Sequence, residues 1–263
     1  MVHRSGSLRV PFALAAVFGT CLGGARSAWA DDLQFTLGVK AWANEWSSWD
    51  PVSTGNNTIR VIESVAANTH YSYIPQAGAR HGNFLVQASY FTSSTYSLGG
   101  LVNPVSGQLG ALSATRRELD GNFGYYVLPS LAVTIGYKQI EQEFGTFHYK
   151  WKGPIVGVAG SASLRGALAT YGTFAYGRLK LDASVPDDAG NTSFNADYVL
   201  TEAGLAYSVN TPLSRLGFTV TLGYRAQLVS TRRFEESTGF DGYRPVDLHD
   251  FTYGPALTLL SRF

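Results

Sequence analysis

The chain has 263 residues, with 20 Lys and Arg, 19 Asp and Glu, and a single cysteine. A formal net charge of +1 at pH 7 gives no overall basic excess, so the composition argues against nucleic-acid binding. One cysteine excludes an internal disulfide framework, and the sequence contains no Cys/His cluster of the kind that binds zinc.

The first thirty residues have the pattern of a secretory signal peptide. A basic start is followed by a short run of mostly apolar and small residues, and Ala28-Trp29-Ala30 is a small-x-small cleavage site. Cys21 lies in a poor lipobox, so we do not expect a lipid anchor there. We predict that cleavage after Ala30 leaves one domain, residues 31–263, without any cysteine.

After residue 30, apolar and polar residues alternate in ten segments, which is typical of β-strands with one apolar face. The predicted strands cover residues 33–46, 70–80, 84–90, 119–127, 131–138, 148–161, 166–181, 199–209, 216–228 and 250–263. The ninth is the most regular, with Phe218 and Val220 on one face and Thr219 and Thr221 on the other. No apolar run is long enough for a spanning helix, which leaves a soluble all-β domain or a membrane β-barrel.

The connections between these strands alternate in length. They are short after the second, fourth, sixth and eighth strands and long after the first, third, seventh and ninth; only the link after the fifth breaks the pattern. An even strand count places both chain ends on the same side of a closed antiparallel barrel. Twelve strands stay an alternative, because parts of residues 57–67 or 101–113 could also pair. A soluble sandwich gives no reason for such segregation of loop lengths, so the pattern favours a membrane barrel.

The last segment, residues 250–263, ends on Phe263 in the apolar register. It resembles the closing strand of bacterial outer-membrane β-barrels, in which the terminal Phe belongs to the signal that the barrel assembly machinery reads. Ser261 departs from that pattern, since an apolar or aromatic residue is more usual there. The resemblance implies a transmembrane antiparallel up-and-down barrel in the bacterial outer membrane, with short periplasmic turns, long extracellular loops and Phe263 as an assembly signal.

Charged side chains fall on the faces opposite to the apolar ones, so in a barrel they would line the lumen. The predicted lumen-lining residues are Lys40, Asp120, Lys138, Glu202, Arg225 and Arg262. Charges of both signs predict internal pairing, which fixes the register and obstructs flow. Ten strands lie between barrels of eight, which side chains fill, and barrels of sixteen to eighteen, which water fills, so we do not expect a wide porin.

Two functions follow from this interpretation. The first is a narrow channel for small solutes or ions. The second is a structural or surface-binding barrel with a plugged lumen, whose long loops bind a partner, chiefly the segments 47–67 and 230–248 with Trp46 and Trp49 close to the first. The predicted partners are outer-membrane lipids, the barrel assembly machinery, and a small solute or surface ligand; no cofactor is predicted.

Catalysis is the third class. The chain resembles outer-membrane proteases in its ten predicted strands; those proteases carry acidic pairs and an Asp–His pair in the loop-side cleft. His249 and Asp250, with Glu235 and Glu236 nearby, are the only candidates of this kind, but adjacent residues of a strand face opposite ways. Barrel phospholipases and lipid A deacylases have a Ser–His arrangement on the lipid face, and no predicted strand has both residues in its apolar register. We therefore predict no catalytic residue.

Residues 186–191 have the composition of a calcium loop. Their spacing does not match an EF-hand, so a turn is the favoured interpretation and no metal site is predicted.

Overall fold

The computed structural model describes residues 33–53, 59–102, 109–145, 147–187, 189–210, 216–237 and 243–263. The predicted signal peptide and its cleavage site lie outside these residues. The described part of the chain contains no helix that is long and apolar enough to cross a membrane.

Eleven β-strands follow one another along the chain. They are β1 (Gln34–Ser53), β2 (Ile59–Ala67), β3 (His70–His81), β4 (Phe84–Val102), β5 (Leu109–Leu128), β6 (Leu131–Phe144), β7 (Phe147–Arg165), β8 (Leu168–Ala183), β9 (Ser193–Asn210), β10 (Gly217–Ser237) and β11 (Tyr243–Arg262). β2 and β3 both pair antiparallel with β1, β2 with its extracellular part and β3 with its periplasmic part. The two therefore act as one wall strand, and the wall has ten strands.

The barrel closes where β1 pairs with β11, from Thr36 opposite Arg262 to Trp49 opposite His249. Backbone hydrogen bonds of 2.8 and 3.0 Å join Phe35 and Phe263 in both directions at the periplasmic end of this seam. Every other neighbouring pair is antiparallel as well. The predicted ten-strand up-and-down barrel is confirmed, and the twelve-strand alternative is wrong because the additional paired segments lengthen existing wall strands.

The strands extend much further on the extracellular side than the sequence pattern predicted. β1 continues to Ser53, β4 to Val102 and β10 to Ser237, so most of the segments 47–67, 92–115 and 230–248, predicted as loops, are paired strand. On β4 and β10 the outward positions of these stretches carry Ser, Thr and Arg instead of apolar residues. The hydrophobic period thus stops at the membrane edge, although the backbone ladder continues beyond it.

Tight turns join the strands at both ends of the barrel. Gly82 in the β3–β4 turn has a φ of +55°, and Gly145 in the β6–β7 hairpin has a φ of +58°, values that only glycine adopts at little cost. The Gly82-Asn83 turn is on the predicted periplasmic side. The Gly145 turn is extracellular, which explains why the link after the fifth predicted strand was short.

Pro75 interrupts the wall between β3 and β4. Their ladder runs from His81 only as far as Gln76, since the proline that follows has no N–H to donate. Side chains bridge the gap: Thr92 donates to the carbonyl of Tyr73 at 2.9 Å.

The outer face is apolar around the whole wall. Large residues such as Leu37, Ile135 and Leu222 are more than half exposed, which in water would leave a wide hydrophobic surface uncovered. Tyrosines including Tyr137 and Tyr176 stand at the extracellular edge of this surface. An apolar band with aromatic edges is suited to a bilayer, with the long strand ends projecting on the extracellular side.

Candidate functional site

Eight charged side chains meet inside the barrel near the extracellular edge of the apolar outer band. They are Lys40, Arg116, Lys138, Arg225, Glu118, Asp120, Glu202 and Asp250, named here the charge layer. Four bases against four acids make the layer neutral. Five of the eight were among the predicted lumen-lining residues; the sixth predicted residue, Arg262, lies exposed at the periplasmic rim.

Glu202 is the centre of one half of the charge layer. It lies opposite Arg225 in the β9–β10 register, with 3.1 Å between Arg225 Nη1 and Glu202 Oε2. Lys40, three strands away on β1, brings its Nζ to 2.5 Å from the same oxygen, and the Tyr171 hydroxyl donates to the other oxygen at 3.0 Å. Gly223 leaves room for Tyr171, since a Cβ there would lie 2.3 Å from that hydroxyl.

The other half is a chain of alternating charges. Lys138 Nζ lies 2.9 Å from Asp120 Oδ1 and 2.6 Å from Glu118 Oε2. Arg116 Nε lies 2.7 Å from Glu118 Oε1, and its Nη1 is 2.5 Å from Asp250 Oδ1. This series of ion pairs thus runs from β6 through β5 and across the lumen to β11. Its members Arg116, Glu118 and Lys138 are fully buried.

Two amide side chains tie opposite walls together. Gln142 on β6 donates to Asp250 on β11 at 2.6 Å, and Gln227 on β10 donates to Glu118 on β5 at 2.5 Å. Each of these pairs stands five strands apart in either direction around the ten-strand wall. A direct hydrogen bond between opposite walls crosses the full width of the lumen and divides it at that point.

Aromatic side chains surround the charge layer. Arg116 lies over the ring of Trp46 at 5.9 Å, Arg225 over Trp42 at 5.2 Å, and Lys138 Nζ is 5.5 Å from the Tyr198 ring centroid. Contacts of a cation with an aromatic face become stronger when water is excluded. Trp46 also donates from Nε1 to Asp250 Oδ2 at 2.8 Å.

Two apolar clusters fill much of the remaining interior. On the β1–β5 side the buried residues are Trp42, Trp46, Ala67, Ile74, Phe91, Tyr96, Ala114 and Ala256. On the β6–β10 side they are Ile140, Trp151, Ile155, Leu179, Leu181, Ala183, Phe194, Ala196, Tyr198 and Val229. The second cluster reaches the extracellular end, where Trp151 Nε1 donates to Thr231 at 3.1 Å, so the projecting part has a packed core.

His249 and Asp250 point to opposite sides of β11, as adjacent residues of a strand do. Asp250 faces the lumen and is occupied by Arg116, Gln142 and Trp46, whereas His249 occupies the opposite, outward register of β11. Burial lowers the pKa of His249. The side chains of Glu235 and Glu236, the other candidates, lie outside the described residues.

Asp187 shows what the calcium-like segment does. Its Oδ1 accepts hydrogen bonds from the backbone N–H groups of Ala189 at 3.1 Å and Asn191 at 2.7 Å. A carboxylate that accepts from its own loop in this way closes a turn, as the sequence favoured. Among the residues that the structure describes, no three His, Cys, Asp or Glu side chains come together as a metal site.

Sequence reasoning missed Arg116 and Glu118. The fourth strand was predicted to start at Leu119, after a linker that ended near residue 115. The alternation of Arg116, Glu118 and Asp120 at every second position was the available signal, because it continues the luminal register of the strand upward.

No protein-family model and no curated protein sequence matches this chain. Among solved structures, the outer membrane protease OmpT of Escherichia coli is similar, with a TM-score of 0.50 and 12% identity over 89% of this chain and 97% of that chain. The toluene transporter TodX of P. putida has a TM-score of 0.33 and 8% identity over 88% and 90% of the two chains. A loop-deletion mutant of OmpT from Vibrio cholerae has a TM-score of 0.31 and 14% identity over 92% and 70%. At this identity the likeness to the protease concerns the fold alone, and the chain has the fold of an outer-membrane β-barrel.

Proposed function

We propose that the protein is an integral barrel of the bacterial outer membrane whose lumen is closed and whose extracellular end is a rigid binding surface. The observation that carries closure is the pair of hydrogen bonds across the full lumen, Gln142 to Asp250 and Gln227 to Glu118. The apolar exterior, the aromatic edges and the predicted signal peptide support the placement in the outer membrane.

The charge layer is a strong barrier because its members are already paired. An ion that enters must displace side chains from partners 2.5 to 3.1 Å away, and each displaced charge would be left buried. An unpaired charge in such an interior costs several kcal/mol, so the paired arrangement is favoured over one in which the ion pairs are broken.

The extracellular extension is suited to binding because it is rigid. On β8 the strand continues from Tyr176 to Ala183, which at about 3.3 Å per residue is roughly 23 Å of additional length. Leu181, Ala183 and Phe194 pack inside it as a core. Trp46, expected near the contact surface, is instead fully buried, and the side chain of Trp49 lies outside the described residues. We therefore propose that binding uses other residues of the segments 47–67 and 230–248.

Solute flux tests closure directly. Residues 31–263 are refolded into liposomes, and folding is verified by altered gel mobility before and after heating. We expect sugars and salts of graded size to enter no faster than into protein-free liposomes. Size-limited flux through protein shown to be folded would contradict the closed lumen.

A narrow channel is the second candidate, and a specific observation favours it. Arg116 Nη2 and Arg225 Nε are buried N–H donors for which the described residues supply no acceptor. Such donors favour conformations in which water or an anion reaches them. In the same flux assay, a Q142A/Q227A variant would lose both crossing hydrogen bonds. Flux through this variant but not through the wild type would identify the charge layer as a gate, whereas flux through neither favours a permanent plug.

The carboxylates inside the barrel give no support to a hydrolase. Glu118, Asp120, Glu202 and Asp250 each lie against a base, which leaves none of them as a free general base. We therefore propose a role other than catalysis.

A further inference from the structure

A second set of charges lies on the outside of the barrel, just beyond the tyrosines at the extracellular edge. Its members are Arg117, Glu141, Lys150, Lys152, Asp182, Lys180, Arg178, Asp197 and Arg232, named here the outer charge belt. They extend over six neighbouring strands, from β5 to β10. Six bases against three acids give the belt a net charge of +3, and Glu143, which lies next to it in the outward register of β6, brings the net charge of this side to +2.

The first unit of the belt has an acid between two bases. Arg117, Glu141 and Lys150 are cross-strand neighbours on β5, β6 and β7. Glu141 accepts from Arg117 Nε, and Lys150 Nζ lies 2.8 Å from its Oε1. The hydrogen bond from Lys150 lowers the pKa of Glu141, so the carboxylate stays ionised at neutral pH. The unit therefore keeps one excess positive charge.

The second and third units repeat this composition. Lys152 Nζ lies 2.8 Å from Asp182 Oδ2, and Lys180 occupies the same outward register two residues before Asp182. In the third unit, Asp197 Oδ2 pairs with Arg232 Nη2, and Arg178 Nε is 3.7 Å from Asp197 Oδ1. Each unit is again two bases around one acid.

The bases lie outermost in the first and third units. The side chains of Arg178 and Arg232 are 79% and 61% exposed, whereas that of Asp197 is 14% exposed. Arg117 is 51% exposed and Glu141 16%. In these two units the acids lie beneath the bases, so the surroundings meet mainly guanidinium and ammonium groups there, whereas in the second unit Asp182 is as exposed as Lys152.

The belt also occupies one side of the barrel. Among the side chains that the structure describes at the same level on β1, β3, β4 and β11, the outward charges are acidic, as at Glu45 and Asp247. The belt begins two residues after Tyr176 on β8 and four residues after Tyr137 on β6, at the height where lipid headgroups replace acyl chains. At this height on the outer face of the barrel, the excess positive charge of the belt faces lipid headgroups more than it faces the aqueous phase above them.

We propose that the outer charge belt binds an outer-leaflet lipid that carries more than one phosphate, along the β5–β10 side of the barrel. Arg and Lys form charge-assisted hydrogen bonds with phosphate, and three separate units of excess charge fit a headgroup with separated phosphates better than a single one. The central acids lie on β6, β8 and β9, so the excess charges are spaced by about 5 to 10 Å. This inference rests on the proposed membrane placement but not on whether the lumen is closed.

Lipid binding to the folded protein in detergent tests the inference without any flux measurement. Native mass spectrometry would measure the affinity for bisphosphoryl lipid A, monophosphoryl lipid A and phosphatidylcholine. The R178Q/K180Q variant removes two belt charges, while R165Q/R262Q removes two from the periplasmic end of the barrel as a matched control. Altered gel mobility verifies that each variant folds. If R178Q/K180Q does not fold, K150Q/K152Q is used in its place.

We expect bisphosphoryl lipid A to bind most tightly and R178Q/K180Q to weaken it about thirtyfold, given the usual attraction of each base to an anionic membrane. The R165Q/R262Q control should bind like the wild type. Equal weakening in both variants, or in neither, would overturn the proposal. Displacement of the lipid by an equal concentration of free pyrophosphate would overturn the assignment to a lipid headgroup.

Discussion

The charge layer inside the barrel and the outer charge belt use the same construction in opposite surroundings. Both are ladders of Lys, Arg, Asp and Glu that cross several strands. Inside, acids and bases are equal in number and almost entirely buried. Outside, bases exceed acids and stay exposed. A buried set must be neutral because an excess charge there has no solvent to stabilise it, whereas the exposed set keeps its excess for a ligand.

The comparison also shows that exposed and buried salt bridges contribute differently to stability. An exposed pair contributes about 0–1 kcal/mol, because water and salt screen it and two long side chains lose freedom. Breaking a buried pair costs about 3–5 kcal/mol, since the remaining partner is left without compensation. The charge layer should therefore respond strongly to single substitutions and the belt weakly.

The largest effect is expected for Glu118→Ala. This change removes the carboxylate that Arg116, Lys138 and Gln227 share, and leaves two buried cations with fewer partners. We expect a loss of about 3–5 kcal/mol in the free energy of unfolding, measured by urea denaturation in vesicles with tryptophan fluorescence. A loss below about 1 kcal/mol would show that the layer behaves like the belt.

A smaller effect is expected for Gly223→Val, which tests packing at the layer instead of its charge. The new Cβ would meet the Tyr171 hydroxyl at 2.3 Å and the backbone oxygen of Ala203 at 2.7 Å, and overpacking of this kind costs about 1–3 kcal/mol. Gly121→Val is the matched control, because a Cβ at this position meets nothing within 4 Å. Similar unfolding midpoints for the two variants would mean that Tyr171 and the neighbouring β9 backbone adjust at little cost.

The smallest effect is expected for Glu141→Gln in the belt, at no more than about 1 kcal/mol near pH 7. The folded-state pKa of Glu141 is lowered by the hydrogen bond from Lys150, so its contribution is present above the unfolded pKa of about 4.3. It is lost as the pH falls through the lower folded value. The difference between wild type and variant should therefore shrink below pH 4 and in high salt. A difference that persists at pH 2 would indicate a packing effect.

The sequence predicts the barrel well because the membrane imposes a simple rule on its strands. Period two assigns each residue to a face, and the even count and the loop lengths follow from antiparallel closure. The rule weakens beyond the membrane edge, where the outward faces of β4 and β10 become polar and strand was mistaken for loop.

Partners across the lumen are harder to predict. The alternation places Lys40 and Glu202 on faces of the same kind, but their contact depends on the stagger of all the strands between them. Gln142 and Gln227, which join opposite walls, look in the sequence like ordinary polar strand residues. The outer charge belt was missed for the related reason that the position of the membrane edge along each strand is set by barrel tilt.

The seam between β1 and β11 has a consequence for how the barrel forms. Its partners, from Thr36 and Arg262 upward, come from opposite ends of the chain, so they are the most non-local contacts in the fold. Contacts of this kind are slow to form because the loop-closure entropy must be lost first. Until they form, β1 and β11 present unpaired edges that could template association with another chain. Substitutions along this seam should therefore change the yield of refolding more than the stability of the barrel once it is closed.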